Sequence, residues 1–417
     1  MQTNLVEFIK LNPQGREADA ILRKCVHCGF CLATCPTYDT LGDELDSPRG
    51  RIYLMKQVLE GTPATELTQK HLDQCLSCRA CETTCPSNVE YQQLLEITRP
   101  VVDQQVGRSF KQRILRATIL SILPYRSRFT PLIRVAQMVR PVLPQALKAK
   151  VPVKSALSKK NVGFKEHKRK MLLLEGCVQP GIAPNINAAT MRVLDRLGIT
   201  LLREAKEGCC GAISTHLNQV EDGLDFMRRN IDAWWPYIEQ GCEAIVITAS
   251  GCGAMVKEYG EKLAQDPNYS EKASHISSLS RDLVEVLCAE PVERLGIRGT
   301  DSIAFQCPCT LQHAQKLSGS VEALLTRMGF DLKTVANNHL CCGSAGTYSI
   351  FQPDLANQLR SKKLQALEES GAARFVSANI GCITHLSEIS EQPVQHWIEV
   401  VDEVLANKNN SLSKANK

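Results

Sequence analysis

Eight of the nineteen cysteines fall into two copies of one spacing, Cys25-x2-Cys28-x2-Cys31-x3-Cys35-Pro36 and Cys75-x2-Cys78-x2-Cys81-x3-Cys85-Pro86. Three thiolates two residues apart wrap a short loop around one cubane, and the doubled run is the arrangement that holds a pair of [4Fe-4S] clusters. Cys25, Cys28 and Cys31 are therefore assigned to a first cluster, and Cys75, Cys78 and Cys81 to a second. The fourth cysteine of each run lies on the next element and in two-cluster proteins reaches the opposite cluster, which gives Cys85 to the first and Cys35 to the second. Pro36 and Pro86 turn the chain away after the ligand and offer no backbone donor there. Zinc needs only four ligands and has no use for a duplicated four-cysteine run ending in Cys-Pro.

A second repeat occupies the C-terminal half. Cys177 precedes Cys209-Cys210-Gly211 by 32 residues, and Cys309 precedes Cys341-Cys342-Gly343 by the same interval. Cys252 closes the first copy and Cys382 the second. The duplication extends beyond the cysteines, since Asp282-Leu283-Val284-Glu285-Val286-Leu287 resembles His396-Trp397-Ile398-Glu399-Val400-Val401. A duplicated domain is the simplest account. Cys177, Cys209, Cys210 and Cys252 are candidate ligands of one site, and Cys309, Cys341, Cys342 and Cys382 of its counterpart. Cys307 reads as a buried small residue or a replacement ligand, and Cys242 and Cys288 read as core residues.

The elements that must position these groups are legible in outline. Met171 to Leu174, Ala244 to Thr248, Ile303 to Phe305 and Arg374 to Ser377 are short apolar or β-branched runs, each ending at or just before a cysteine segment. Helical patterns accompany them at Ile186 to Leu197, Leu224 to Ile238, Val321 to Met328 and Pro353 to Leu367. Alternating strand and helix predicts parallel sheets with ligands at the carboxyl ends of the strands. Between the first two cysteine runs, Ser47 to Leu59 reads as a helix with Ser47 as N-cap and Pro48 in its first turn. Arg49 and Arg51 on that helix are either cluster-facing cations that raise the potential or surface charges. His27 lies inside the first cluster loop; His216, His313, His385 and His396 lie near the Cys-Cys-Gly elements, as pocket-lining or structural residues.

With 417 residues and 43% hydrophobic content the chain is long enough for two or three packed domains. Its net charge of +5 conceals an asymmetry: from Gln104 to Lys165 there are 14 Lys and Arg and no Asp or Glu, against 35 basic and 44 acidic residues elsewhere. Pro124, Pro131, Pro141, Pro144 and Pro152 punctuate this segment, which predicts short amphipathic helices broken by proline. Such helices suit either an anionic membrane surface or packing against other domains or a partner subunit. Nucleic acid is excluded by the lack of an aromatic platform or binding motif. No apolar run reaches the ~20 residues of a spanning helix, and Met1 to Pro13 lacks a basic-then-apolar secretory pattern, so reduced cysteines in a cytoplasmic protein are expected. No G-x-G-x-x-G, P-loop or hydrolytic triad is present, so no FAD or nucleotide is expected on this chain and no catalytic residue is assigned.

Together, the doubled cysteine run and the two Cys-Cys-Gly copies resemble the iron-sulfur subunits of glycolate oxidase, anaerobic glycerol-3-phosphate dehydrogenase, lactate utilisation and heterodisulfide reductase, from about residue 18 to 402. Cys25-Val26-His27-Cys28-Gly29-Phe30-Cys31, Ser47-Pro48-Arg49-Gly50-Arg51 and Asn379-Ile380-Gly381-Cys382-Ile383-Thr384-His385-Leu386 most resemble the glycolate oxidase branch. The resemblance implies an α/β protein: an N-terminal α-helical two-cluster ferredoxin domain (1–103), a basic helical linker (104–169) and two pseudo-symmetric α/β Cys-Cys-Gly domains (170–300 and 301–417). It implies electron transfer from a partner FAD subunit, which oxidises glycolate or another 2-hydroxy acid, towards membrane quinone, on the inner-membrane periphery. One departure bears on chemistry. Heterodisulfide reductase relatives close each repeat with C-x2-C, where this chain has Ala249 and Asn379 in the earlier position. Four cysteines per repeat remain, enough for an ordinary further cluster or for structural or redox thiols. The alternative function is a reductase acting at the Cys-Cys-Gly domains on a disulfide or quinone, or the equivalent subunit of a lactate or glycerol-3-phosphate dehydrogenase.

Overall fold

The chain is seen in a computed structural model that describes residues 1–144, 148, 151–153, 164–299 and 301–415. Part of the basic segment, 154–163, therefore lies outside the described residues. Two compact units are present: the first comprises Met1–Thr118, Thr215–Asn218 and Asn337–Lys363, and the second Ile119–Ser214, Gln219–Ala336 and Leu364–Lys417.

The first unit is helical where its sequence supplies starts and stops. Asn12 caps the helix Pro13–Lys24, its Oδ1 accepting from the Gln14 N–H, with Pro13 in the first turn. The expected Ser47 cap is present: Ser47 Oγ accepts from the Gly50 N–H at 2.9 Å and opens the helix Pro48–Leu59. Thr65 and Thr68 close a capping box on Glu66–Asp73, and the helix Tyr91–Val106 completes the set. These helices bury Leu22, Met55, Leu72, Leu94 and Leu95 in one core that also takes Cys25 and Cys81 along its edge. Each such side chain contributes about 1.5–3 kcal/mol by leaving water, which anchors the cysteine loops to a rigid floor. The late segment Asn337–Lys363 belongs to the same unit: Tyr348 donates its hydroxyl to the Gln74 carbonyl at 3.0 Å, and Lys362 pairs with Asp39 at 2.9 Å.

The second unit carries two four-stranded, wholly parallel sheets, ordered β2-β1-β3-β4 and β6-β5-β7-β8. The strands are β1 (Arg169–Leu174), β2 (Ile199–Arg203), β3 (Ile245–Ile247), β4 (Ser280–Asp282), β5 (Ser302–Gln306), β6 (Asp331–Lys333), β7 (Arg374–Ser377) and β8 (Val394–His396). The identical order gives the duplicated domain directly. Intervening helices of this unit include Pro184–Arg196, Val220–Glu239 and Ser320–Arg327, while Pro353–Glu368 lies mostly in the first unit's late segment; each is within a few residues of its sequence expectation. The two copies are tied together by Ser250 N–H to the Ala378 carbonyl (3.1 Å), His396 Nε2 to the Thr248 carbonyl (2.9 Å) and an Arg192–Asp402 ion pair (2.7 Å).

Two expectations are corrected. Cys288, read as core, ends the helix Leu283–Cys288 at the surface, because the buried face of that short helix is taken by Leu283, Val284, Val286 and Leu287. In the basic segment, Pro124 does separate the helices Phe110–Ile122 and Arg126–Val139, but Pro131 lies inside the second instead of breaking it. Pro131 is exposed, so the hydrogen bond it forgoes is on the side open to water.

Candidate iron-sulfur centres

The two ferredoxin-type loops wind alike. His27 and Gly29 in one, and Ser77 and Arg79 in the other, adopt left-handed φ values of 55°, 85°, 53° and 62° at matching positions. Non-glycine residues rarely adopt this conformation, and here it recurs at a duplicated site. The cysteines gather accordingly. Cys25, Cys28, Cys31 and Cys85 line one open pocket, whose empty space of about 450 Å³ runs out to solvent, with Arg49, Ile52 and Tyr91. Cys35, Cys75 and Cys78 line a second of about 310 Å³ with Thr37, Arg51, Arg79 and Tyr91, and Cys81 borders both. Each cavity thus combines three cysteines of one run with the last cysteine of the other. Sequence reasoning did not find Tyr91, which opens its helix between the cavities and is 3% exposed; a buried aromatic six residues past Cys85 carries no ligand signal.

Burial raises the thiol pKa of Cys25 and Cys81, and burial together with Cys25 pushes Cys31 up to about 11. Thiols so crowded resist ionising unless a cation takes the place of the protons, which is what ligation by iron does. Soft donor type, the crossed grouping of the cysteines and space therefore fit the cubane.

Arg51 and its neighbours form a buried polar core beside the second cavity. Arg51, 1% exposed, donates to the His71 carbonyl (2.7 Å), Thr37 Oγ1 (2.9 Å) and Asp46 Oδ1 (3.1 Å). Burial alone would lower its pKa, but Cys75, Tyr91, Cys35 and Asp46 more than reverse this and keep it charged. Thr37 Oγ1 in turn lies 3.2 Å from Cys35 Sγ. Arg49 is different: a third of its side chain is exposed and it pairs with Glu44 at 2.7 Å.

In the second unit, Cys177 follows β1, Cys209-Cys210 follow β2, and Cys252 lies on the helix Ser250–Lys257 after β3. The chain leaves β1 first to β2 and then to β3 on its other side, so Cys177 and Cys252 flank the point where strand order reverses, the usual place for a ligand. The four thiols form a hydrogen-bonded chain, Cys177 to Cys209 to Cys210 to Cys252. Hydrogen bonds from Cys177, Cys210 and the Gly211 and Ile213 N–H groups lower the Cys209 pKa against the effect of burial. Asn230 and Tyr259 fix the loop, Asn230 Nδ2 donating to the Cys209 carbonyl at 2.8 Å and the Tyr259 hydroxyl to the Cys210 carbonyl at 3.0 Å. In the second copy Cys309 and Cys382, both buried, follow β5 and β7, while the buried Cys341-Cys342 pair belongs to the first unit.

Residues 21–89 match the 4Fe-4S dicluster domain family, and residues 171–257 and 303–387 match the cysteine-rich domain family. The chain is 56% identical over 405 residues to the glycolate oxidase iron-sulfur subunit of Escherichia coli (strain K12), covering 97% of this chain and 99% of that protein. It belongs to the glycolate oxidase iron-sulfur subunit family. The probable glycolate oxidase iron-sulfur subunit of Bacillus subtilis (strain 168) is 31% identical, covering 88% of each chain. Lactate utilization protein A of Geobacillus thermodenitrificans (strain NG80-2) is 25% identical over 52% of this chain and 90% of its own length.

Two features separate this member from a C-x2-C closure. Ala249 is buried, whereas Asn379 donates from Nδ2 to Cys382 Sγ at 3.5 Å and accepts from the Gly251 N–H at 3.4 Å. Asn379 thus supports the closing cysteine where a fifth thiol would stand. Of the histidines singled out in the sequence, His27 lines the first cavity, His313 and His385 are buried, and His216 is exposed. His396 is wholly buried and structural, its ring joining the two repeats. Cys307 and Cys242 are buried, as small core residues. Among the described residues no helix is long and apolar enough to cross a membrane.

Proposed function

We propose that this chain is the electron-carrying subunit of a 2-hydroxy-acid dehydrogenase complex, glycolate being the substrate indicated by the names of its relatives. Oxidising glycolate to glyoxylate releases two electrons and two protons, which an FAD subunit takes as a pair and this chain accepts one electron at a time. Cys25, Cys28, Cys31 and Cys85 hold the first cluster, and Cys75, Cys78, Cys81 and Cys35 the second. When bound, each [4Fe-4S] cluster stores and releases a single electron. The observation that carries this reading is the crossed grouping of the eight cysteines around two cavities. The protein's own part is to hold the two sites side by side, with Tyr91 filling the space between and the helical core excluding water from the inner faces.

Electrons leave towards membrane quinone, and the chain binds the inner-membrane periphery through its basic segment (104–169), which joins the ferredoxin-type domain (1–103) to the repeats (170–300 and 301–417). Beyond the two cubanes, the four thiols of the first repeat, Cys177, Cys209, Cys210 and Cys252, and their counterparts in the sequence repeat, Cys309, Cys341, Cys342 and Cys382, are candidate ligands of a further cluster only in the alternative reading, that of a reductase. The chain of four neighbouring thiols from Cys177 to Cys252 supports a second reading, in which the Cys-Cys-Gly domains reduce a disulfide or quinone directly.

Anaerobic purification with iron and sulfide analysis separates these readings. About eight irons per chain, with one of two reduced-cluster spectra changed in Cys28→Ser and the other in Cys78→Ser, is the expected result. Fewer than eight irons, or one spectrum altered by both changes, rejects the two-cluster assignment. Twelve or more irons together with turnover of a disulfide substrate rejects the pure carrier.

A further inference from the structure

The two cavities differ in the charges around them. At the second, Arg51 is sealed from water and donates to Thr37 Oγ1 at 2.9 Å; that hydroxyl gives its proton to the Asp46 carbonyl at 2.8 Å, and its oxygen lies 3.2 Å from Cys35 Sγ. Arg99, on the helix Tyr91–Val106, donates to the Cys75 carbonyl at the start of the second loop (3.0 Å) and to the Leu72 carbonyl at the end of the preceding helix (2.5 Å), both neutral acceptors. Arg79 also lines this cavity, but Glu82 at 3.1 Å offsets it. At the first cavity the corresponding cation is Arg49, a third exposed and offset by Glu44. A fixed positive charge favours the reduced state of a cluster, which carries one more negative charge, and does so most strongly where water is kept away. Asp46 pairs with Arg51 inside the same buried site, its Oδ1 accepting from Nη2 at 3.1 Å, so Arg51 differs from Arg49 in being shielded from water, and Asp46 tempers it.

We propose that Arg51 and Arg99 are positioning residues that raise the reduction potential of the second cluster, while Arg49 leaves the first unaffected. The proposal rests on the reading that the eight cysteines hold two clusters. It makes the second loop the sink within the pair: the Arg51 and Arg99 charges draw the electron to the cluster beside Cys75, next to the loop carbonyl that Tyr348 engages.

The test is a redox titration of the full chain followed by paramagnetic resonance, with iron content of about eight confirmed for every variant so that loading and potential are read separately. Cys78→Ser marks which signal belongs to the second cluster. In Arg51→Gln and Arg99→Gln, the reduced-to-oxidised ratio of that signal at fixed potential should fall at least tenfold, about 59 mV for one electron. Arg51→Lys should restore most of the shift, and Asp46→Asn, which unmasks Arg51, should move the same signal in the opposite direction. Arg49→Gln should move neither. Opposed signs for Arg51→Gln and Asp46→Asn are something a general loosening of the fold does not produce. If Arg51→Gln fails to load, Arg99→Gln and Asp46→Asn decide the matter alone. Unchanged potentials in those two, or equal shifts of both clusters, overturn the proposal.

Discussion

At His396 both ring nitrogens are committed, Nε2 donating to the Thr248 carbonyl at 2.9 Å and Nδ1 accepting from the Ile398 N–H at 3.2 Å. A second proton on Nδ1 would face another N–H, and complete burial lowers the folded pKa to about 4. The unfolded chain, with a histidine near 6.5, takes up that proton first as pH falls. His396 therefore stabilises the fold fully above about pH 6.5, loses that contribution between 6.5 and 4, and has none left to lose below, a span of about 3 kcal/mol. Buried Glu207 and Asp282 act in the opposite sense, since burial raises both to about 7 and their folded-state advantage declines as pH rises. Comparing wild type with His396→Gln, which keeps a donor for Thr248, isolates one group: the stability gap from urea unfolding should shrink by up to about 3 kcal/mol from pH 6.5 to 4. A gap independent of pH would show that His396 does not titrate across the fold. At this scale the sequence exposes what spacing encodes and little else. The two cysteine quartets were readable because such a motif has fixed intervals, whereas Tyr91 and Thr37 reach the cavities, and Arg99 the Cys75 carbonyl, from separate elements with no interval to betray them.

The duplicated elements use the same local devices. Asp282 and His396 each begin a helix whose third residue, Glu285 or Glu399, returns its carboxylate to the backbone N–H of that first residue at 2.7 or 3.0 Å. Both Cys-Cys-Gly turns need their glycine. Gly211 has φ of 93°, and a Cβ there would stand 2.8 Å from the Gly223 carbonyl oxygen; Gly343 has φ of 87°, with 2.5 Å to the Ala356 carbonyl. Gly211→Ala should cost about 1–3 kcal/mol from backbone strain, with a further loss from the clash. Gly198→Ala, at φ of 82° but with nothing within 4 Å, should show the strain alone. Urea midpoints of the two variants measure the difference, and equal losses would mean that the turn tolerates the extra carbon. The strands show why sequence reading stopped halfway. β1, β3, β5 and β7 are central in their sheets and carry buried apolar runs, Met171–Leu174, Ile245–Ile247, Ile303–Phe305 and Phe375–Val376, so they were visible. β2, β4, β6 and β8 are edges, and Ser280-Arg281-Asp282, Asp331-Leu332-Lys333 and Val394-Gln395-His396 are too short and polar to register as strands.

Across the whole molecule the positive excess is confined to one segment, and the structure places exposed apolar side chains within it. On the helix Arg126–Val139, Leu132, Val135 and Met138 are at least half exposed on one face, flanked by Arg128 and Arg134. Apolar residues between cations suit an anionic lipid surface. The full chain should sediment with vesicles containing phosphatidylglycerol and not with pure phosphatidylcholine, weaken as salt rises, and lose binding in Val135→Asp/Met138→Asp. Equal binding to both vesicle types would sever the segment from the membrane. The charge pattern and the proline-rich composition were plain in the sequence, but the exposure of that face depends on which residues Phe129 and its neighbours cover. The make-up of the first unit has a different consequence, for biogenesis. Its last segment, Asn337–Lys363, follows Thr118 by roughly 220 residues of chain. At about 5–20 residues per second of synthesis, the cysteine loops leave the ribosome on the order of ten to forty seconds before the piece that finishes their own unit. During that interval they are present but unfinished, which makes the nascent chain the stage at which iron delivery and oxygen compete for the same thiols.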